Sequence, residues 1–184
     1  MNDIGMNDHR TDDYGALTAS DTVRIERLLP GPIERVWTFL TDSEKRARWL
    51  AAGDMELRVG GKVEHVFNNT ALTGHDGVPP AKYAKHNCAT MQGRITACEP
   101  PRLLSYTWGE ESDVRFDLTP RGDKVLLVVT HRRLAPREMI LSVAAGWHTH
   151  LDILRDRLAD RTPEGFWAKH TRLEAEYDKR LPAR

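Results

Sequence analysis

The sequence predicts an α+β fold: a curved antiparallel sheet of about six to seven strands wrapped around a long C-terminal helix. Two short helices follow the first strand, and an additional helix lies at the C-terminus. Three observations predict this. Apolar residues alternate with period two in several stretches between residues 54 and 131. Short turns separate the later stretches, which favours antiparallel hairpins over βαβ crossovers. From residue 136 the period becomes helical, with one stripe through Val143, Trp147, His150, Leu151, Leu154 and Leu158. That stripe must be buried, and the sheet is the large partner available.

Taken in order, Thr22 to Leu29 form the first strand, with Val23 and Ile25 on one face. Gly31-Pro32 ends it, and proline suits the first turn of a helix, where its missing N–H would be unpaired anyway. Ile33, Val36, Trp37 and Leu40 recur at helical spacing, giving a helix over 32–40. Thr41-Asp42-Ser43-Glu44 has capping-box form and opens a second short helix ending near Trp49. Its charges, Asp42, Glu44, Lys45, Arg46 and Arg48, read as a solvated face. Met55 and Leu57 alternate, Gly60-Gly61 turns, and Val63, His65 and Phe67 complete a hairpin. Residues 68–87, with Gly74, Gly77, Pro79 and Pro80, read as a long loop and a mobile lid or rim. A strand over 89–98 follows, and Pro100-Pro101 turns it. Leu104, Tyr106 and Trp108, then Val114, Phe116 and Leu118, alternate on the next two strands. Arg121-Gly122-Asp123 turns the chain into Val125, Leu127, Val129 and His131. The helix over 136–160 would span roughly 37 Å. Thr162-Pro163 opens the last helix, which carries Phe166, Trp167, His170, Leu173 and Tyr177 on one side. That apolar side either docks on its own domain or joins a homodimer. The domain division expected is a disordered acidic tail over 1–20, the main domain over 21–161, and a C-terminal helical extension over 162–184.

The 184 residues suit one domain. Equal numbers of basic and acidic side chains, 27 each, argue against a general nucleic-acid partner. No apolar run is long enough for a membrane span, and no secretory signal opens the chain, so the expected location is cytoplasmic. Cys88 and Cys98 lie on or beside one extended stretch that would hold them roughly 33 Å apart. A disulfide needs Cα atoms within about 7 Å, so both are read as free thiols. Their spacing matches no zinc framework, and no metal or cofactor is expected. No nucleophile–base spacing or phosphate loop is present, so the catalytic residues stay unassigned.

The candidate cavity residues are the aromatic and histidine positions on inward faces. Tyr106, Trp108 and Phe116 alternate inward on adjacent strands, beside Leu127 and Val129, with Trp37 and Phe67 at the flanks. Any of these aromatics also serves as ordinary core. His65, His131 and His150 fall on apolar faces, where an imidazole must be hydrogen-bonded. Each is either a polar anchor, or an acid/base near neutral pH, or a core histidine bonded to a backbone carbonyl. His148 and His150 point about 200° apart on a helix and cannot share an ion. Trp147 packs the long helix onto the sheet or gates the cavity, with Gly146 allowing close approach.

An ordered set of segments carries a resemblance to a known family. These are Ile33-Glu34-Arg35-Val36-Trp37, Arg48-Trp49, Leu57-Arg58-Val59-Gly60-Gly61-Lys62 and Gly93-Arg94-Ile95. Glu99-Pro100-Pro101-Arg102-Leu103, Tyr106-Thr107-Trp108, Thr130-His131 and Gly146-Trp147 followed by Leu151, Leu154 and Leu158 complete it. Together they cover about residues 21–160. The chain resembles the START-related helix-grip superfamily, SRPBCC, and within it the bacterial branch of the activator of Hsp90 ATPase homologues (Aha-type). The resemblance implies a hydrophobic cavity between sheet and long helix. Members bind lipids, polyketides or other apolar small molecules, a few catalyse cyclisation or hydrolysis, and no universal catalytic motif carries over. The expected function is therefore binding of an apolar or amphipathic small molecule without catalysis. The alternatives are a polyketide-cyclase-like enzyme using His131 or His150, or a stress-related co-chaperone-like interaction protein. The eukaryotic co-chaperones have a separate N-terminal domain that engages the chaperone. Only residues 1–20 precede the fold here, so chaperone contact is not expected.

Overall fold

The computed structural model describes residues 12–74 and 78–182. Seven antiparallel strands form one sheet in the order β1-β2-β7-β6-β5-β4-β3. They are β1 (Ala16–Ala19), β2 (Thr22–Pro30), β3 (Lys62–Val66), β4 (Thr90–Glu99), β5 (Leu103–Trp108), β6 (Ser112–Arg121) and β7 (Lys124–Arg132). Between β2 and β3 lie helices α1 (Ile33–Thr41) and α2 (Ser43–Arg46), and α3 (Ala84–Asn87) precedes β4. The long helix α4 (Arg137–Leu158) packs against β2 and against α5 (Phe166–Arg180). This is the curved sheet and gripped helix that the sequence predicts.

The sheet closes through a long-range pairing, Val23↔His131 to Pro30↔Lys124 between β2 and β7. Gly122, at φ 61°, sits in the tight turn joining β6 and β7, a conformation glycine adopts without steric cost. At Gly93 a Cβ would stand 2.0 Å from the Thr107 carbonyl oxygen. Only glycine lets β4 approach β5 there, and the register shifts just beyond, between Ile95 and Ala97. The main core lies between the sheet, α1 and α4, with Ile25, Trp37, Trp49, Tyr106, Phe116 and Leu127 among its members. A second cluster, with Val23, Leu141, Ala144, Leu173 and Tyr177, joins α4 to α5.

Several local expectations are corrected. The disordered tail over 1–20 fails for residues 12–20, while residues 1–11 lie outside those described. Asp12 pairs with Arg180 at 2.6 Å and Asp13 with Arg155 at 3.0 Å. The Gly15 N–H donates to Tyr177 Oη at 2.7 Å, and Ala16–Ala19 pairs with β2. These partners are distant in sequence, so composition could not show them. The cap of α2 is Asp42, whose carboxylate accepts from the Lys45 N–H at 2.9 Å; the Thr41 hydroxyl instead donates to the Trp37 carbonyl. Arg46 is not on a solvated face. It is fully buried, donating to the carbonyls of Leu40, Thr41 and Gly53. The first arm of the hairpin near residue 55 forms only isolated bridges at Ala52 and Met55, and Val59 is exposed. The long loop over 68–87 folds into 3₁₀ turns at Thr70–Leu72 and Ala81–Tyr83 and then α3, with Gly77 outside the described residues. The last helix starts at Phe166 with Gly165 as its cap, rather than at Thr162-Pro163. Its apolar side is buried within the chain, which accounts for the surface that raised a homodimer. Cys88 and Cys98 are free thiols. No helix among the described residues is long and apolar enough to cross a membrane.

Candidate functional site

The gripped helix does not fill the whole concavity of the sheet. A cleft of about 1290 Å³ remains between the sheet, α4, α5 and the chain around residues 67–91. This exceeds the ~300–1,000 Å³ usual for small-molecule sites. Its walls are largely apolar and aromatic, with Phe67, Trp108, Trp147, Phe166, Trp167 and Met139 among them.

The β5 pleat sets one wall. Tyr106 and Trp108 share a strand face, with ring planes 17° apart and centroids 6.3 Å apart. Trp108, at the strand end, reaches the cleft, while Tyr106 is covered by His65 and Phe116. Trp147, on α4, meets Trp108 edge-to-face at 5.3 Å and Phe116 at 5.6 Å, a favoured aromatic geometry. Among the candidates from sequence, Phe67, Trp108, His131, Trp147 and His150 lie on the cleft wall. Trp37, His65, Tyr106, Phe116, Leu127 and Val129 lie behind it in the core. Gly146 does not serve close packing, because a Cβ there would meet nothing within 4 Å. It leaves the cleft open along α4.

The two cleft histidines differ in what they can do. The Trp147 indole N–H donates to His131 Nδ1 at 3.0 Å. An indole is donor only, so Nδ1 carries a lone pair and Nε2–H faces Ser112 Oγ at 2.9 Å. The serine hydroxyl in turn donates to the Trp108 carbonyl. Both His131 nitrogens are engaged, and burial holds its pKa at about 4. His150 Nδ1–H donates to the Trp49 carbonyl at 2.7 Å, which leaves Nε2 a bare acceptor without a partner among the described residues. Burial lowers its pKa to about 4. Each ring is uncharged at neutral pH and keeps a single N–H, so His150 offers the cleft its Nε2 lone pair rather than an acidic proton.

Sequence reasoning missed the opposite wall. Tyr83 stacks on Trp167 at 5.6 Å and donates to Glu174 at 2.5 Å, while Lys82 pairs with the same carboxylate at 2.8 Å. Trp167 Nε1–H donates to Thr70 Oγ1 and Asn87 Oδ1, both at 3.1 Å. These contacts clasp the 68–87 segment to α5. The signal was present in part: His170, Glu174 and Asp178 recur at i, i+4 on one face of α5, and all three line the cleft.

A family model described as Activator of Hsp90 ATPase homolog 1-like protein matches residues 30–159. The chain belongs to this family. Among solved structures it is similar to a protein of Bordetella parapertussis, at 44% identity and TM-score 0.77, covering 94% of this chain and 93% of that one. CalU16 of Micromonospora echinospora shares the fold at 24% identity and TM-score 0.62, over 86% of this chain and 84% of that one. DynU16, a protein in the dynemicin biosynthetic locus, does so at 20% identity and TM-score 0.61, over 80% of this chain and 51% of that one. No curated protein matches the chain. The matched segment begins at the last residue of β2, takes in α1, β3 to β7 and α4, and ends before α5.

Proposed function

We propose that this protein is a binding protein that holds an apolar or amphipathic small molecule in the cleft between sheet and long helix. The observation that carries the reading is the cleft itself, large, with a mostly apolar exposed surface and polar side chains at its edges. Concave apolar surfaces with a few convergent polar atoms are the usual form of ligand sites. Occurrence of the fold in DynU16, from a biosynthetic locus, also supports small-molecule chemistry as the setting. Binding is favoured over catalysis because His131 has both nitrogens engaged and His150 is a weak base. Native mass spectrometry of protein purified from its own host tests the reading. Wild type is expected to carry a bound small-molecule mass that Gly146→Phe, which fills the cleft, does not. An identical ligand-free spectrum for both would count against it.

A further inference from the structure

The inner corner of the cleft, around Phe166, gathers polar atoms that no described residue satisfies. His150 and His170 flank the Phe166 ring at 4.9 and 5.9 Å. Asn69 precedes Thr70, which accepts from the neighbouring Trp167. Asn69 is 8% exposed and its Oδ1 is buried without a partner among the described residues. His170 is 4% exposed and its Nδ1 is likewise buried and unpaired, while a backbone hydrogen bond with Ser142 engages the other nitrogen. His150 Nε2 is the third, its Nδ1–H being committed to Trp49. All three residues line the cleft. A buried polar atom left unpaired costs about 1–3 kcal/mol, so Asn69 Oδ1 and His170 Nδ1, with His150 Nε2 open to the same cleft, call for an occupant.

All three atoms are acceptors, because the two rings are neutral: burial lowers both. The charge lining the cleft has one predominant sign. Glu110, Glu111, Glu138, Glu174 and Asp178 line the cleft against the single lysine Lys82, which is tied to Glu174. An anionic ligand would meet a negative field and, among the described residues of the cleft wall, no free cation. The walls meanwhile offer flat aromatic faces.

Resting on the binding reading above, we propose that this corner selects an uncharged, hydroxylated aromatic molecule, which donates hydrogen bonds to Asn69, His150 and His170, over a carboxylate or a donor-free analogue. Three probes of one ring system test this by fluorescence titration: 2,6-dihydroxynaphthalene, 2,6-dimethoxynaphthalene and 2,6-naphthalenedicarboxylate. The diol is expected to bind at least tenfold more tightly than the dimethyl ether, with the dicarboxylate weakest. Asn69→Leu and His170→Phe should each erase most of the diol's advantage while leaving the ether unchanged. Both should also raise the melting temperature of the ligand-free protein, since each removes an unpaired buried acceptor. Equal binding of the three probes, all abolished by Gly146→Phe, would overturn the selection and leave the cleft reading intact. Tighter binding of the dicarboxylate, or a diol preference that survives both variants, would also overturn it. Binding of none would overturn both readings.

Discussion

Acidification should unfold this protein well above the pH at which carboxylates titrate. His65, His131, His148 and His150 are all buried and neutral, with burial the main cause, and their pKa values fall from 6.5 to about 3 for His65 and about 4 for the others. In the unfolded chain each returns to about 6.5. Between those values the unfolded state binds the extra protons, so stability is full above pH 6.5 and falls as pH drops toward the folded values. At pH 5.5 each such histidine withdraws about 1.4 kcal/mol of stability. Four together withdraw roughly 5–6 kcal/mol, comparable to the whole stability of a small domain. His170 is shifted the same way and adds to the effect. Asp152, whose carboxyl the ion pairs with Arg27 and Lys169 hold low against the cost of burial, keeps its contribution throughout this window. The assay is urea unfolding followed by tryptophan fluorescence at pH 7.5, 6.5 and 5.5. The midpoint should already fall at pH 6.5, where the four histidines together withdraw roughly 1.6 kcal/mol, and collapse by pH 5.5, and His65→Phe should flatten the slope by about one proton. Equal stability at pH 7.5 and 5.5 would refute the neutral buried histidines, and with them the acceptor role of His150.

Asp152→Asn should cost about 3–5 kcal/mol in equilibrium unfolding, because Arg27, 1% exposed, would keep a buried charge without its counter-ion. Leu127→Ala, at a core position behind the cleft, should cost roughly 2–5 kcal/mol in the same assay. Glu174→Gln loosens the clasp that Lys82 and Tyr83 make. It should change global stability by less than about 1 kcal/mol, since Lys82 is exposed and the amide still accepts from Tyr83, yet speed hydrogen exchange at residues 81–87. Unchanged exchange there would show that the Tyr83–Trp167 stack holds the segment alone.

The sheet and the long helix were legible because alternation at Tyr106 and Trp108 or at Leu127 and Val129 reports a half-buried strand directly. The stripe through Trp147, Leu151 and Leu154 did the same for the helix. What sequence could not show was pairing across distance. Asp12 and Asp13 look like tail charges until Arg180 and Arg155 are placed beside them. Arg46 looks solvated until the chain folds three carbonyls around it. The cleft was half legible. Trp108, His131, Trp147 and His150 announced one wall by facing inward, but period alone could not separate Trp108 on the wall from Tyr106 behind it. The other wall depends on Tyr83 meeting Trp167 and Glu174, residues some ninety positions away.

Gly146 gives the most direct test of the cleft. A Cβ there meets nothing within 4 Å and Gly146 lines the cleft, and replacing glycine within a helix favours the helix by a few tenths to about 1 kcal/mol. Gly146→Phe should therefore occlude the site without unfolding the protein. The measurement is titration of wild type and variant with Nile red, an uncharged apolar fluorophore, alongside urea unfolding of each. Saturable binding by wild type, weakened at least tenfold in a variant of equal or higher stability, is the predicted result. No saturable binding by wild type, or equal affinity in the two proteins, would contradict a ligand-binding cleft between sheet and helix.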